Sequence, residues 1–103
     1  MRVEWTLPAI EDLDTIQEFI AKDQESLGYA YDFVNELLDL GDSLVDDSTA
    51  LRGTPAPWAS DSNVRELYYK GHTIVYEIID DTVRIHEVYD QRRVNLRYAK
   101  RGL

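Results

Sequence analysis

The stretch VRELYYKGHTIVYEIIDDTVRIHEVY, residues 64–89, decides the fold of this chain. Three runs rich in β-branched and aromatic residues, at 64–70, 72–79 and 82–89, predict three strands. Gly71 separates the first two runs and Asp80-Asp81 the last two, so both connections are tight turns. The sequence therefore predicts a three-stranded antiparallel meander.

The residues before this stretch predict one strand and two helices. Apolar residues alternate with polar ones over residues 2–7, which is typical of a short strand, and Pro8 suits the first turn of a helix. One apolar stripe at helical spacing then predicts a helix ending near 22–24, and a second predicts a helix to about Asp47. We interpret both stripes as core; they are Ile10, Leu13, Ile16 and Ile20 with Phe19, and then Ala30, Phe33, Val34, Leu37, Leu38, Gly41, Leu44 and Val45.

The expected fold is α+β, in a single domain over residues 1–103. An N-terminal strand is followed by a two-helix hairpin and then by the antiparallel meander. We expect the first strand to complete a four-stranded antiparallel sheet, with the helices on one face and the other face partly open. Residues 48–62 contain two of the three prolines and have no clear period, which predicts a long loop.

Composition excludes several classes of protein. The chain has no cysteine, so it cannot contain a disulfide framework, a thiolate zinc site or a cysteine nucleophile. The acidic N-terminus does not resemble a signal peptide, and no apolar run is long enough to span a membrane. We expect a cytoplasmic protein without membrane contact.

The net charge of −9 is unevenly distributed. Residues 9–50 contain twelve acids and one base, Lys22, whereas residues 92–103 contain five bases and no acid. The acidic half would repel nucleic acid, and only the C-terminal segment could attract it. A solvated helical face and a charged terminus would explain both runs equally well.

Few residues suggest catalytic chemistry. The only histidines, His72 and His86, lack metal-binding spacing, and no nucleophile elbow or phosphate-binding loop is present, so we expect neither a metal nor a cofactor. Arginines and tyrosines on or after the sheet could bind a phosphodiester and stack a base, although surface ion pairs would account for the arginines as well. The arginines are Arg65, Arg92 and Arg93, the tyrosines are Tyr98 and the nearby Tyr68, Tyr69, Tyr76 and Tyr89, and His86 belongs to the same group.

Several segments together resemble the RelE/ParE superfamily of type II toxin–antitoxin toxins, which includes proteins called plasmid stabilisation proteins. The opening VEWTLPAIEDLDTIQEFI carries Ala9, Asp12, Leu13, Ile16 and Ile20 at the positions of the superfamily pattern. Further matches are residues 30–37, VREL at 64–67, IVYEI at 74–78 and IHEVYDQRR at 85–93. The last is similar to the ParE branch, and Thr73 stands where the ribonuclease branch has an arginine.

The resemblance implies a toxin closest to ParE, which inhibits DNA gyrase by protein–protein contact, poisons its cleaved-DNA complex and needs no catalytic residue. We expect the contact surface to be the open sheet face and the basic C-terminal segment, with Arg65 supporting the sheet. The target-binding residues would be Arg92, Arg93, Arg97, Tyr98, Lys100 and Arg101.

Two alternatives belong to other classes. The first is a RelE-like endonuclease that cuts messenger RNA on the ribosome, in which Arg65, Arg93 and Tyr98 would be catalytic. The second is a non-toxic binding protein of the same fold. All three imply a cognate antitoxin in a hetero-oligomer, whose helix or extended tail would lie along apolar grooves. Because the helices are acidic, we expect an acidic antitoxin tail to contact the basic C-terminal side.

Overall fold

The computed structural model describes residues 1–46, 50 and 52–91. Their order confirms the α+β prediction of a strand, a helical hairpin and a meander, and adds one short strand before the meander. The elements are β1 (Arg2–Trp5), α1 (Leu7–Gln24), α2 (Leu27–Asp42), a 3-10 turn (Ser43–Val45), β2 (Thr54–Pro55), β3 (Val64–Tyr69), β4 (His72–Ile79) and β5 (Thr82–Asp90).

Side-chain caps set the limits of the helical hairpin. The Thr6 hydroxyl accepts a hydrogen bond from the Ala9 N–H (3.4 Å), and the Ser26 hydroxyl accepts one from Tyr29 N–H (3.1 Å), so each helix starts on an N-cap. Glu25 adopts a left-handed conformation with φ of 51°, which ends α1. The second helix ends at Asp42, before the predicted Asp47, because its last turn tightens into the 3-10 turn.

The sheet has five strands in the order β1-β5-β4-β3-β2. The prediction of a four-stranded antiparallel sheet is wrong, since β1 pairs with β5 in parallel, with Arg2 opposite Thr82 and Trp5 opposite Ile85. The physical reason is β2, a short strand that lies inside the predicted loop and pairs antiparallel with β3. This extra strand adds one reversal of chain direction, so the last meander strand runs the same way as the first strand.

Tight turns and one irregularity shape the meander. Lys70 and Gly71 have positive φ (47° and 80°), as does Asp80 (52°), which confirms the two predicted turns. Between the pairs Tyr76–Ile85 and Val75–Glu87, β5 contains one extra residue, His86. Simple alternation would put Val88 on the same face as His86. The β-bulge instead places Val88 in the core together with Ile85, on the face opposite to His86.

The core lies between the helical hairpin and one face of the sheet. Leu13, Phe33 and Leu37 from the helices pack with Ile74 and other apolar residues of the central strands. The interpretation of the helical stripes as core is wrong at their edges, because Ile10, Phe19 and Val45 are 45%, 39% and 49% exposed. Among the described residues, no helix is long and apolar enough to cross a membrane.

Candidate functional site

The basic C-terminal segment follows directly from the last strand. The Gln91 N–H donates a hydrogen bond to the Gly71 carbonyl (2.9 Å), so the strand ends beside the Lys70-Gly71 turn. The predicted target-binding residues lie outside the described residues; they are Arg92, Arg93, Arg97, Tyr98, Lys100 and Arg101. The structure thus places Gln91, the last described residue, beside the β3–β4 turn.

Arg65 is the one residue of the predicted ribonuclease set within the described chain. It lies on β3, and its guanidinium donates to the Gly53 carbonyl just before β2. The Gly53 N–H in turn donates to the Tyr76 hydroxyl (3.2 Å), which donates to the Ala50 carbonyl (2.7 Å). Arg65 therefore helps to hold the segment before β2 against the sheet, while Arg93 and Tyr98 lie outside the described residues.

The four tyrosines singled out on the sheet differ in their availability for stacking. Tyr76 is fully buried, and the Tyr69 hydroxyl donates to Glu36. Tyr89 is buried and donates to the Glu66 carboxylate (2.9 Å). Tyr68 is 51% exposed. Among the tyrosines of residues 64–89, the ring of Tyr68 is therefore the one available for stacking against a nucleobase.

The face of the sheet opposite the helices is closed in its middle. Glu66, Thr73, Val75 and Tyr89 alternate with core residues along their strands, and each is at most 5% exposed. Toward its margins this face is more accessible, with Tyr68 half exposed. A partner could therefore contact the rim of this face more readily than its centre.

Neither histidine lies in a metal-binding cluster among the described residues, which contain no group of three potential ligands. His86 Nε2 lies 2.8 Å from the Glu77 carboxylate on the neighbouring strand. His72 is buried, with its ring centroid 5.0 Å from that of Phe33 and its Nδ1 3.3 Å from the Lys70 carbonyl oxygen. Both histidines thus have structural partners within the sheet and hairpin.

A polar cluster joins α2 to the β3–β4 turn. The Tyr69 hydroxyl and the Lys70 ammonium (3.1 Å) both donate to Glu36. These hydrogen bonds, that of Tyr69 first, lower the pKa of the Glu36 carboxyl below its ordinary value of 4.5. The same Glu36 contact raises the pKa of Lys70 and that of Tyr69. At neutral pH the Glu36 carboxylate and the Lys70 ammonium therefore both stay ionised, and their contact joins α2 to the end of the sheet.

Sequence reasoning missed a largely apolar groove between α1 and α2. Its α1 wall carries Ile10, Leu13, Asp14 and Gln17, which are spaced i, i+3, i+4 and i+7. Its volume is about 390 Å³. The available signal in the sequence was the position of Ile10 in the apolar stripe of α1. A stripe does not reveal which of its edges remains outside the core.

The α2 wall of this groove has the same spacing, with Tyr31, Val34, Asn35 and Leu38. Tyr31 is 60% exposed, whereas Val34 is buried and forms part of the floor. Apolar side chains therefore line the groove at Ile10 and Leu13 of α1 and at Tyr31, Val34 and Leu38 of α2, and the other helical positions are polar.

Trp5 of β1 lines the groove together with the two helices. The Trp5 indole N–H donates to the Asp42 carboxylate (2.9 Å). The ring packs so closely against Gly41 that a Cβ there would lie 2.3 Å from a ring carbon. Gly41 is thus required for the ring to take this position.

The helical hairpin packed on a five-stranded mixed sheet defines the chain as an α+β domain of the RelE/ParE type. A family model described as "ParE toxin of type II toxin-antitoxin system, parDE" matches residues 3–95. The chain belongs to this ParE toxin family. The resemblance found in the sequence is therefore confirmed.

A solved structure has the same fold. The chromosomal ParDE TA system from P. aeruginosa aligns with a TM-score of 0.71, covering 87% of this chain and 95% of that chain at 20% identity. A comparison with curated proteins gives no significant match.

Proposed function

We propose that this protein is a ParE-type toxin that inhibits DNA gyrase by protein–protein contact and poisons its cleaved-DNA complex. The family match over residues 3–95 is the observation that carries the proposal. The contact surface would be the basic segment with Arg92, Arg93, Arg97, Tyr98, Lys100 and Arg101, together with the rim of the sheet. As a gyrase inhibitor it would act in the cytoplasm.

The charge distribution supports a role for this segment. Five bases follow Gln91, while the rest of the chain is acidic, so an acidic target surface would be attracted only to this end of the molecule. Lys70 lies beside the end of β5, but its ammonium pairs with the Glu36 carboxylate (3.1 Å), so the positive charge at this end comes from the C-terminal segment. By contrast, the guanidinium of Arg65 contacts the Gly53 carbonyl, which favours a supporting role over contact with a phosphate.

A cognate antitoxin would neutralise the toxin in a hetero-oligomeric complex, as the ParDE system named for the similar structure suggests. An acidic antitoxin segment would bind the basic C-terminal side and block access to the target. Reversing the charges of Arg92 and Arg93 should then weaken antitoxin binding. Unchanged affinity of that variant would contradict this location of the contact.

The target can be tested with two reactions run side by side. The purified protein is added to a gyrase supercoiling reaction and, separately, to a translating ribosome system. We expect supercoiling to be lost while messages remain intact. Cut messages with normal supercoiling would instead support the ribonuclease alternative, and no effect in either reaction would support a non-toxic binding protein.

A further inference from the structure

We propose that a small cavity between α1 and the end of β5 seats the guanidinium of Arg92, the first residue of the basic C-terminal segment. Arg92 lies outside the described residues, so the inference rests on the residues that form the cavity and on the place where the described chain ends. Arg92 would anchor the segment to the folded domain, and the four other bases of the segment would face a partner. The seat does not depend on the identity of the toxin's target.

The cavity has the size of one side-chain head group. Its volume is about 80 Å³, which holds a few heavy atoms but not a peptide segment. It lies on a different face of α1 from the groove between the helices, because Thr15 and Phe19 line it and Ile10 does not. Phe19 is 39% exposed, so part of its aromatic side chain remains accessible. An aromatic side chain beside a cation site favours a planar cation, which can stack on the ring.

A buried histidine gives the cavity a hydrogen-bond acceptor. His72 is 8% exposed and lines the cavity. Its Nδ1 lies 3.3 Å from the Lys70 carbonyl oxygen, which can only accept, so Nδ1 carries the hydrogen of that bond. In the neutral ring Nε2 is then an acceptor, and it has no partner among the described residues. A donor that enters the cavity would complete the hydrogen bonds of this side chain.

Two carboxylates complete the polar lining. The Asp12 carboxylate accepts the Val88 N–H (3.0 Å), which fixes it between α1 and β5, and a carboxylate can accept several hydrogen bonds. Asp90 is the cross-strand partner of His72, so these two side chains lie on the same face of the sheet. No base is among the described lining residues. A set of acceptors that includes two anions selects a cation with several donors, and the five N–H groups of a guanidinium meet this requirement.

The position of Arg92 in the chain fits this seat. The Gln91 N–H donates to the Gly71 carbonyl (2.9 Å), so the pairing of the last strand continues to the last described residue. Arg92 follows Asp90 by two residues, which places its Cα within about 7 Å of that of Asp90. Continued alternation along the strand would put Arg92 on the same face as Asp90, and Arg93 on the opposite face. The first base of the segment is therefore the one that the strand direction brings to the cavity.

The test is a double-mutant cycle on the full-length protein, measured by equilibrium urea unfolding. It compares the unchanged protein, Asp90→Asn, Arg92→Gln and the double variant. In the unchanged background we expect Arg92→Gln to lower the folding equilibrium constant by about three- to fivefold, the upper range for a partly exposed ion pair. In the Asp90→Asn background the same substitution should have little effect. High salt should weaken this coupling.

Two controls separate the seat from general attraction between the basic segment and the acidic domain. Arg93→Gln changes the adjacent arginine, and its effect should be the same with and without Asp90→Asn. Asp14→Asn changes an acid that lines the groove on another face of α1, and it should leave the effect of Arg92→Gln unchanged. Absence of coupling between Asp90 and Arg92, or equal coupling of Asp90 to Arg93, would overturn the proposal.

Nuclear magnetic resonance of the isotopically labelled protein gives a direct reading on the unchanged chain. We expect nuclear Overhauser effects between the side-chain protons of Arg92 and the ring protons of Phe19, and Arg92→Lys assigns the arginine signals. The same effects from another base of the segment, or from none, would overturn the proposal. Because neither measurement includes gyrase, a failure of the seat and a failure of the proposed target are distinguishable.

Discussion

Replacing Tyr76 with phenylalanine removes one buried hydroxyl and leaves the ring in place. This hydroxyl donates to the Ala50 carbonyl (2.7 Å) and accepts from the Gly53 N–H (3.2 Å). Each bond contributes about 0.5–1.5 kcal/mol, and an unsatisfied buried partner costs more, so the expected loss of unfolding free energy is about 2 kcal/mol. In urea, with a slope of roughly 2 kcal/mol per molar, the midpoint should fall by about 1 M.

The assay is equilibrium urea unfolding followed by circular dichroism, with Tyr31→Phe as the matched control. The Tyr31 side chain is 60% exposed, so its variant should stay within about 0.5 kcal/mol of the unchanged protein. If Tyr76→Phe also stays within that range, the hydroxyl does not anchor the segment before β2. The account of how this segment and Arg65 are held against the sheet would then be wrong.

Three further substitutions test other parts of the structure. Gly41→Ala should lower the unfolding free energy by about 1–2 kcal/mol, because the new Cβ collides with Trp5 and the higher helix propensity of alanine offsets only part of that cost. Thermal unfolding measures this loss. Asp12→Ala should cost about 1–2 kcal/mol in the same assay, because the carboxylate accepts the Val88 N–H (3.0 Å). Because the folded protein lowers the pKa of Glu36, the ionised carboxylate adds to the unfolding free energy above pH 4.5, and this contribution is lost as the pH falls through the lower folded pKa. The difference in unfolding free energy between the unchanged protein and Glu36→Gln should therefore shrink on acidification. A difference that stays constant with pH would contradict this contribution.

The strands of the meander could be predicted from the sequence because period, turn residues and β-branched side chains all agree there. The direction of β1 could not be predicted, since it depends on β2. This strand is only Thr54–Pro55, too short to produce a period, and it contains a proline that is tolerated because β2 lies at the edge of the sheet. The bulge at His86 was also hidden, because one extra residue leaves the composition of a strand unchanged.

The candidate surfaces were predictable to different degrees. The basic C-terminal segment is evident from five bases without an acid over residues 92–103. The groove was not found, because helical spacing shows that Ile10 and Leu13 share one side of α1 but not where the core ends. Only the packing of α1 against α2 buries Leu13 and leaves Ile10 at 45% exposure.

The most direct test of the central proposal is a supercoiling titration of purified gyrase with two forms of this protein. One form is unchanged, and the other carries serine at Arg92, Arg93, Arg97, Lys100 and Arg101; Arg52→Ser serves as a control at an exposed arginine elsewhere. We predict that the unchanged protein and the control abolish supercoiling and accumulate cleaved DNA, whereas the five-serine variant does neither although it remains folded. Full supercoiling in the presence of the unchanged protein, or equal inhibition by the five-serine variant, would contradict the proposal.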